Sequence, residues 1–256
     1  MSAPQLDLSG HVALVTGATG NLGRVITRTL ARYGADVAIH YHRDEKMAST
    51  LLKDVTGMGR CAVISQADVT DADSIQAMKK VVDRDLGVPD ILVNNAVAQY
   101  KWVSVLEQPA GDYESQFRTC VLHNVLMAKA FAPAMIKHRW GRIIAINTEC
   151  AAQNFAGQSA YVAGKRGMDG VLRVLARELG EHQITVNQVA PGWMITDRDR
   201  VKGGENQPHY EASVPLRRRG TDQDIANAVA FLASDLAGFI TGAFLPVCGG
   251  NVMTSI

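Results

Sequence analysis

Short apolar runs rich in β-branched residues alternate with longer segments of helical spacing along the chain, and no other feature restricts the fold as strongly. Strands that are apolar on both faces and separated by helices form a parallel sheet covered on both sides. Right-handed crossover connections then predict a doubly wound α/β fold with ligands at the carboxyl ends of the strands. The predicted strands are His11–Thr16, Asp36–Tyr41, Arg60–Gln66, Asp90–Asn94, Arg142–Asn147, Ile184–Ala190 and Ala243–Val247.

The segments between these strands have the apolar spacing of helices that cover both faces of the sheet. In the first segment, Leu22, Val25, Ile26 and Leu30 fall on one stripe. The other predicted helices are Glu45–Thr56, Asp71–Leu86, Asp112–His138, Ser159–Glu181 and Asp222–Ser234. No internal repeat, linker or low-complexity stretch interrupts the 256 residues. We therefore predict a Rossmann-like arrangement of about seven strands in a single domain over residues 1–256.

Composition and charge exclude several classes of partner. Lys and Arg total 26 against 25 for Asp and Glu, so the net charge of +1 gives no electrostatic footprint for nucleic acid or an anionic membrane. The four cysteines match neither a disulfide framework nor a zinc spacing, and we predict no metal site. The segment Met1–Gly10 lacks the pattern of a secretion signal, and no apolar window is long enough to cross a bilayer. We expect a cytoplasmic protein.

A glycine-rich turn, Thr16–Gly23, follows the first strand and opens the first helix. Glycines there permit a tight turn and close approach of the backbone to a pyrophosphate, which the helix N-terminus attracts. A plain strand-to-helix turn is the alternative for such a segment taken alone, but the strand–turn–helix context favours dinucleotide binding. The predicted cofactor-binding residues of this turn are Gly17, Thr19, Gly20, Asn21, Leu22 and Gly23.

The end of the second strand bears on the choice of cofactor. NAD enzymes usually place an acidic residue there to accept hydrogen bonds from the ribose hydroxyls. Tyr41 occupies that place in this chain and is followed by His42 and Arg43. A missing carboxylate and a nearby guanidinium favour the 2′-phosphate of NADP, with NAD the less favoured cofactor. The alternative is that Arg43 only caps a solvent-exposed loop.

Tyr161 and Lys165 are four residues apart and share one face of a predicted helix. Carbonyl reduction needs a proton donor at the oxygen, and a free tyrosine, with a pKa of about 10, is a poor donor near neutrality. A lysine ammonium one turn away and a positive nicotinamide ring would favour the phenolate and lower that pKa. Taken alone, the pair is more typical of an exposed helix face.

Taken together, these residues resemble the short-chain dehydrogenase/reductase family over almost the whole chain. Besides the glycine turn and the pair Tyr161 and Lys165, the resembling segments are Asp68-Val69, Asn94-Asn95-Ala96, Gly141–Ile144, Val186–Gly192, Met194, Thr196, Pro215–Arg217, Asp224–Ser234, Ile240–Gly242 and Gly249-Gly250. The resemblance implies a single-domain oxidoreductase that moves a hydride between NADP(H) and a ketone or secondary alcohol. The implied substrate is 3-oxoacyl-type or another small carbonyl compound.

The resemblance also implies roles for individual residues. Tyr161 would be the general acid/base, and Lys165 would hold the nicotinamide ribose hydroxyls and tune the phenol. Thr148, thirteen residues before Tyr161, would take the place of the family's substrate-polarising serine. Threonine keeps the hydroxyl but adds a methyl group that crowds the pocket. The implied cofactor contacts outside the glycine turn are His42, Arg43, Asp68, Val69, Asn95, Ala96, Tyr161, Lys165, Pro191, Gly192, Met194 and Thr196.

Three positions depart from the family's pattern. The helix asparagine that supports a water relay behind the lysine aligns with Cys120, and Asn124 lies one helical turn further on. A thiol cannot imitate an amide, and we interpret Cys120 as a small buried packing residue. Asn21 stands where the short branch usually has glycine. Val97 replaces the glycine after Asn-Asn-Ala, where its side chain could press on the cofactor or the substrate.

The predicted substrate loop runs from Trp193 to Pro215 (residues 193–215), and Val201–Tyr210 within it is interpreted as a mobile lid. Candidate neighbours of the substrate are Trp102, Glu149, Gln153, Asn154, His209 and Tyr210, although ordinary surface positions are the commoner outcome for the last two. Arg217–Arg219, the only basic run, is interpreted as a solvated loop rather than a phosphate clamp.

Two functions of different classes stay open on the sequence. The first is an NADPH-dependent ketone reductase or alcohol dehydrogenase. The second is a catalytically weakened member that binds NADP(H) as a sensor or regulatory partner, which the residues Cys120, Asn21 and Val97 motivate. A sugar-nucleotide epimerase is disfavoured because the chain leaves no room for a large C-terminal substrate domain. The long helices Asp112–His138 and Ser159–Glu181 carry more apolar surface than one sheet face needs, and by resemblance we expect a homotetramer or a dimer.

Overall fold

Seven parallel strands form one sheet in the computed structural model, which describes residues 6–253 apart from the side chain of Arg198. The strands are β1 (Val12–Val15), β2 (Asp36–Tyr41), β3 (Ala62–Gln66), β4 (Ile91–Asn94), β5 (Gly141–Ile146), β6 (Ile184–Pro191) and β7 (Phe244–Val247). Their order across the sheet is β3-β2-β1-β4-β5-β6-β7, which confirms the predicted doubly wound fold. Residues 1–5, part of the segment analysed for a secretion signal, lie outside the described residues.

Helices cover both faces of the sheet. They are α1 (Asn21–Arg32), α2 (Glu45–Gly57), α3 (Ala72–Asp85), α4 (Ala110–Gln116), α5 (His123–His138), α6 (Cys150–Gln153), α7 (Ser159–Leu179), α8 (Asp197–Lys202), α9 (Pro208–Ser213) and α10 (Asp222–Ala233). One apolar core, which includes Ile26, Leu51 and Val229, packs α1, α2 and α10 against the sheet. The other, which includes Phe131 and Leu172, packs α3, α5 and α7 on the opposite face. Full burial of such side chains contributes about 1.5–3 kcal/mol each.

The sheet reverses its order of growth at β1. Val15 of β1 lies opposite Ile39 of β2 on one side and Val93 of β4 on the other. The connections that leave β1 and β4 therefore cover opposite faces of the sheet, and a crevice opens between them at its carboxyl edge. The glycine turn after β1 and Asn95 after β4 both face this crevice.

A continuous helical run, Ala110–His138, crosses one face of the sheet. It joins α4 to α5 through a π-helical turn, Phe117–Leu122, and begins slightly earlier than the predicted Asp112. Within residues 6–253, this is the one helix long and apolar enough to span a membrane, and 56% of its most apolar window is buried. The expectation that no apolar window is long enough to cross a bilayer was therefore wrong, although a largely buried core helix has the same length and composition.

The sequence pattern missed the short helices. α6 has four residues, and α8 and α9, which lie within the predicted substrate loop, have six each. Segments of one or two turns are too short to show an apolar period. Half of the predicted lid, Val201–Tyr210, is therefore helical, and residues 203–207 between the two helices are irregular.

Candidate active site

The glycine turn brings the backbone of β1 close to the end of β4. Gly17 has a φ of +61°, and a Cβ atom there would lie 3.0 Å from the Cα atom of Ala96. At Gly23 a Cβ atom would lie 2.2 Å from the carbonyl oxygen of Gly17, inside any permitted contact. Both positions need glycine because backbone, which cannot move aside, occupies the space of a side chain.

A buried histidine, His40, supports the turn from β2. Its Nδ1 accepts the backbone N–H of Gly17 at 2.9 Å, and its Nε2 lies 3.1 Å from the carbonyl oxygen of Ala67. The neutral ring with its proton on Nε2 satisfies both contacts. Burial lowers the pKa of His40 to about 4, which keeps that form at neutral pH. The sequence interpretation did not assign His40 a role, and the one available signal was a polar side chain at the end of an apolar strand.

Thr16 and Asn95 join the ends of β1 and β4. The hydroxyl of Thr16 accepts the backbone N–H groups of Asn95 at 2.9 Å and Ala96 at 3.1 Å. The amide of Asn95 donates to the carbonyl oxygens of Thr16 and Gly17, each at 3.0 Å. These hydrogen bonds hold the main chain at the ends of β1 and β4 in place at the base of the crevice.

The start of α1 fits a phosphate group. Gly20, its N-cap, offers no side-chain acceptor, and the first turn holds no acidic residue. The free N–H groups of that turn and the helix dipole therefore attract an anion. Asn21, one of the three departures, has its side-chain oxygen bonded to Arg24 at 2.7 Å. Together with the space that Gly17 leaves, these features fit a dinucleotide pyrophosphate.

The predicted ribose side lies at the ends of β2 and β3. His42 and Arg43 are exposed, while the neighbouring carboxylate of Asp44 caps α2 by accepting the N–H of Met47 at 3.0 Å. Asp68 accepts from the hydroxyl and the N–H of Thr70, both at 2.8 Å. Burial raises the pKa of Asp68, but these bonds outweigh it and the net shift is downward. Val69, next in the chain, is buried.

Tyr161, Lys165 and Thr148 meet at the carboxyl edge of β5. Lys165 is buried, its Nζ donates to the carbonyl oxygen of Ile146 at 2.6 Å, and this nitrogen lies 5.7 Å from the centre of the Tyr161 ring. Burial lowers the pKa of Lys165. Burial likewise raises the pKa of Tyr161, against a smaller opposing effect of the Thr148 hydroxyl. Burial is thus the largest influence on the phenol in this arrangement, and the lowering of its pKa by the Lys165 ammonium together with a bound nicotinamide stays a prediction.

Thr148 is buried, and both its backbone N–H and its hydroxyl form hydrogen bonds. Its N–H donates to the side-chain oxygen of Asn147 at 2.9 Å, and its hydroxyl accepts the N–H of Cys150 at 3.2 Å. The amide nitrogen of Asn147 in turn donates to Gln188 at 2.6 Å and to the carbonyl of Lys165 at 3.3 Å. Asn147 thus ties β5 to β6 and to the helix that carries Tyr161.

Two tyrosines hold the start of α7, and the sequence interpretation missed both. The N-cap Gln158 makes no side-chain cap. Instead, the Tyr100 hydroxyl accepts the backbone N–H of Tyr161 at 2.6 Å, and the Tyr113 hydroxyl lies 2.7 Å from that of Ser159. These contacts span long distances along the chain, so no local pattern indicates them. Trp102, a predicted neighbour of the substrate, stacks on the Tyr161 ring with 6.1 Å between centroids and keeps half of its surface exposed.

Two of the three departures, Cys120 and Val97, pack into the core. Cys120 lies in the π-helical turn and is 1% exposed, as expected for a packing residue. Asn124 donates to the backbone carbonyl of Cys120 at 2.7 Å and accepts from Asn94 at 2.8 Å. Val97 packs against the same core cluster as Cys120, so its side chain is partly buried.

The segment after β6 holds the predicted nicotinamide contacts. Pro191 ends the strand, Gly192 follows, and Met194 is buried. Thr196 is the N-cap of α8 and forms a capping box with Asp199. Pro191 lies beside the end of β5, because its carbonyl accepts the N–H of Glu149, the residue after Thr148, at 2.9 Å.

Arg219 organises this segment and is itself buried, although the basic run Arg217–Arg219 was interpreted as a solvated loop. Its guanidinium donates to the carbonyl oxygens of Met194 at 2.6 Å, Gly204 at 2.9 Å and Trp193 at 3.1 Å, and it lies 4.9 Å from the centre of the Trp193 ring. Five-donor geometry makes arginine suited to gathering several carbonyls. We call these residues the Arg219 cluster.

Among the other predicted substrate neighbours, Glu149 and Tyr210 are hydrogen-bonded to each other at 2.9 Å. His209 is exposed, and Asn154 accepts from Arg166 on the surface at 3.2 Å. In the part of the chain that the structure describes, no three His, Cys, Asp or Glu side chains gather closely enough to hold a metal ion.

Comparison with known proteins agrees with this geometry. The family profile described as Enoyl-(Acyl carrier protein) reductase matches residues 17–251. The 3-oxoacyl-[acyl-carrier-protein] reductase FabG of Staphylococcus aureus is 38% identical over 243 residues, which are 94% of this chain and 98% of the relative. FabG of Escherichia coli is 38% identical over 258 residues, covering 97% of this chain and all of the relative (100%).

Solved structures extend the likeness to the backbone. A short-chain alcohol dehydrogenase from Sinorhizobium meliloti matches with a TM-score of 0.87 at 31% identity, over 97% of this chain and 98% of that one. A 7α-hydroxysteroid dehydrogenase, solved with NADH and 7-oxo glycochenodeoxycholic acid, matches with a TM-score of 0.86 at 31% identity, over 97% of both chains. By profile, sequence and structure, the chain belongs to the short-chain dehydrogenase/reductase family of oxidoreductases.

Proposed function

We propose that this protein is an NADP(H)-dependent oxidoreductase that transfers a hydride between nicotinamide and a ketone or secondary alcohol. The substrate class is a 3-oxoacyl compound or another small carbonyl compound, in line with the FabG relatives. The observation that carries the proposal is the meeting of Tyr161, Lys165 and Thr148 at the carboxyl edge of the sheet, the same edge at which the glycine turn follows β1. A proton donor, a cation and a hydroxyl beside a dinucleotide crevice suit carbonyl reduction.

The residues that would hold the cofactor are those of the glycine turn with Asp68, Asn95, Ala96, Lys165 and Thr196, as the family resemblance implies. Arg43 supports NADP over NAD, because its guanidinium is exposed while the carboxylate next to it in the chain, Asp44, is occupied as a helix cap. Titrating NADPH and NADH separately into the purified protein, and into an Arg43→Ala variant, tests this preference. A variant that loses affinity for NADPH but not for NADH supports it, and equal affinities in the unaltered protein contradict it.

The chain's own groups divide the work of the reaction. The bound nicotinamide supplies or accepts the hydride. Tyr161 holds the proton that the carbonyl oxygen must receive, and burial keeps its phenol protonated. The Thr148 hydroxyl donates a hydrogen bond to that oxygen, and the Lys165 ammonium, 5.7 Å from the centre of the Tyr161 ring, places a positive charge near the phenol.

The Tyr161→Phe variant tests the proposal. NADPH oxidation should be followed over a panel of ketones and 3-oxoacyl thioesters, with nucleotide binding measured separately. We expect turnover to fall by about 10²–10⁴, the contribution of one positioned acid–base group, with nucleotide affinity unchanged. Tyr33→Phe, the same chemical change at a tyrosine on the C-cap of α1, is the control. An active Tyr161→Phe enzyme would refute the assignment.

A catalytically weakened, NADP(H)-binding regulatory protein is the second candidate. What supports it is the buried Cys120 in the family's asparagine position and the raised pKa of Tyr161, whose chief cause is burial. Tight nucleotide binding without turnover on any compound of the panel would favour this candidate over the enzyme.

We propose further that residues 1–256 act as one domain in a cytoplasmic homotetramer or dimer. Phe117 and Val174, on the long helices of one sheet face, expose more than half of their side chains, and a second copy would cover such apolar surface. Light scattering on the purified protein gives the mass of the assembly. A monomer at micromolar concentration contradicts this proposal without affecting the catalytic one.

A further inference from the structure

Glu149 directly follows Thr148 and is 3% exposed. Its backbone is fixed on both sides, because its N–H donates to the carbonyl of Pro191 at 2.9 Å and its own carbonyl accepts from Ala152 at 2.9 Å. The carboxylate is therefore held at the carboxyl edge of β5 and β6, next to the residue expected to contact the substrate oxygen.

Both carboxylate oxygens accept from neutral donors that come from distant parts of the chain. The Tyr210 hydroxyl of α9 donates to Oε1 at 2.9 Å, and the Asn251 amide donates to Oε2 at 3.1 Å. We call these three residues the Glu149 cluster. Burial raises the pKa of Glu149, and the bonds from Asn251 and Tyr210 oppose that shift. A buried carboxylate that is hydrogen-bonded only to neutral donors contributes little to the stability of a fold. A role other than stability therefore has to account for the position of Glu149.

The Tyr210 hydroxyl lies where three elements meet. Besides donating to Glu149, its oxygen accepts the backbone N–H of Trp193 at 2.9 Å. Gly192 leaves the space for it, since a Cβ atom there would lie 2.6 Å from the phenol oxygen. The Tyr210 ring also meets the Trp193 ring edge-on, with 5.5 Å between centroids. The phenol thus bonds α9 to the ends of both β5 and β6.

α9 makes few other side-chain bonds outside its own turns: the Ser213 hydroxyl donates to Asn251 at 3.3 Å, and Arg217 donates to the carbonyl of Ala212. All six of its residues are described, none is buried, and Tyr210 is one of two that are not fully exposed. The Arg219 cluster fixes the beginning of the substrate loop through the carbonyls of Trp193, Met194 and Gly204, but none of these lies in α9. The Glu149 cluster therefore supplies the bonds that join α9 directly to the ends of β5 and β6.

We propose that Glu149 is a positioning residue that holds α9 over the substrate side of the site through Tyr210, on the strand end that carries Thr148. The proposal rests on the proposed function, because it assigns the substrate loop its role in the same reaction. Loss of the cluster releases α9, so the site closes less well around a carbonyl substrate while the cofactor side stays intact. Asn251 adds the C-terminal segment to the same anchor.

Hydrogen–deuterium exchange and steady-state kinetics on the full chain test this. In Glu149→Ala and Tyr210→Phe we expect the rate of amide exchange in α9 to rise at least about tenfold, while exchange in the glycine turn stays unchanged. The KM for the carbonyl substrate should also rise about tenfold, which is the equivalent of one lost hydrogen bond to a charged group. Glu149→Gln keeps an oxygen acceptor for Tyr210 and should restore most of both. Tyr33→Phe is the matched control for removal of a phenol hydroxyl.

Unchanged exchange in α9 in both Glu149→Ala and Tyr210→Phe would overturn the proposal. So would faster exchange with an unaltered KM, or a loss of nucleotide affinity together with KM, since either result gives Glu149 a general structural role. If Glu149→Ala fails to fold, Tyr210→Phe, on an exposed helix, carries the test. If the unaltered protein turns over no substrate, the proposed function has failed, and the exchange measurement still decides whether the cluster holds α9.

Discussion

The two sides of the site are held together in different ways. On the cofactor side, Thr16, His40 and Asn95 bond main chain to main chain at the ends of neighbouring strands, and glycines let the backbones touch. On the substrate side, a loop is fastened by two buried charged side chains, Arg219 and Glu149. The first arrangement is continuous with the sheet and is preformed. In the second arrangement, the loop can lose the contacts of Arg219 or of Glu149 while the contacts of the other remain. This suits a part of the molecule that must admit and release a substrate.

The largest effect should come from the cofactor side. In Gly23→Ala the new methyl group meets the backbone at Gly17 and Ala18, which cannot yield, so we expect a loss of about 3 kcal/mol in the free energy of unfolding and no measurable nucleotide binding. Gly57→Ala, where no atom lies within 4 Å of the added Cβ, should change stability by no more than about 0.5 kcal/mol. Urea denaturation measures both. A Gly23→Ala protein of unaltered stability would show that the turn is not rigid.

Acid should weaken the cofactor side by an intermediate amount. Burial lowers the pKa of His40 to about 4 and that of His123, the buried first residue of α5, to about 3. Above the unfolded pKa of about 6.5 both are neutral in either state, so their contribution to stability is complete; as the pH falls below that value, only the unfolded chain takes up the protons. Each histidine then removes up to about 1.4 kcal/mol per pH unit.

A His123→Asn variant isolates this contribution. Between pH 7 and pH 5 its free energy of unfolding should fall less than that of the unaltered protein, by about 1–2 kcal/mol. Equal losses in the two proteins would mean that His123 binds a proton in the folded state after all.

The smallest global effect should come from the substrate side. Arg219→Ala leaves several loop carbonyls without their donor, but the loop can turn them to solvent, so we expect only about 1–2 kcal/mol in global stability. Limited proteolysis within residues 193–205 should speed up strongly, while Arg218→Ala, at a largely exposed side chain, should cleave at the original rate. Slow cleavage in Arg219→Ala would place the fastening of the loop elsewhere.

The site could be predicted from sequence wherever a function depends on neighbours along the chain. The glycine turn is one continuous segment, and Tyr161 and Lys165 share a helix face at a spacing of four residues, so both were visible. Tyr100 acts on Tyr161 from sixty-one positions away, and no local pattern connects them. The π-helical turn around Cys120 could not be predicted either, because one widened turn leaves the apolar period of the long helix almost unchanged.

The ionisation of the central pair also required the structure. Spacing predicts that Lys165, together with a bound nicotinamide, lowers the pKa of Tyr161. The structure adds that both groups are buried, which raises the pKa of Tyr161 and lowers that of Lys165, because desolvation depends on everything packed around a group.

The sequence by itself determined the sheet, its helical cover and the position of the glycine turn, because apolar period and backbone permissiveness are properties of short stretches of chain. Only the tertiary structure decided that Arg219 is buried, that Glu149 joins Tyr210 to Asn251, and that His40 supports the turn. These contacts join residues whose separation along the chain carries no periodic signal. A buried charge or imidazole is tolerated only where the completed fold supplies its partners, and those partners exist only after the strands and helices have packed.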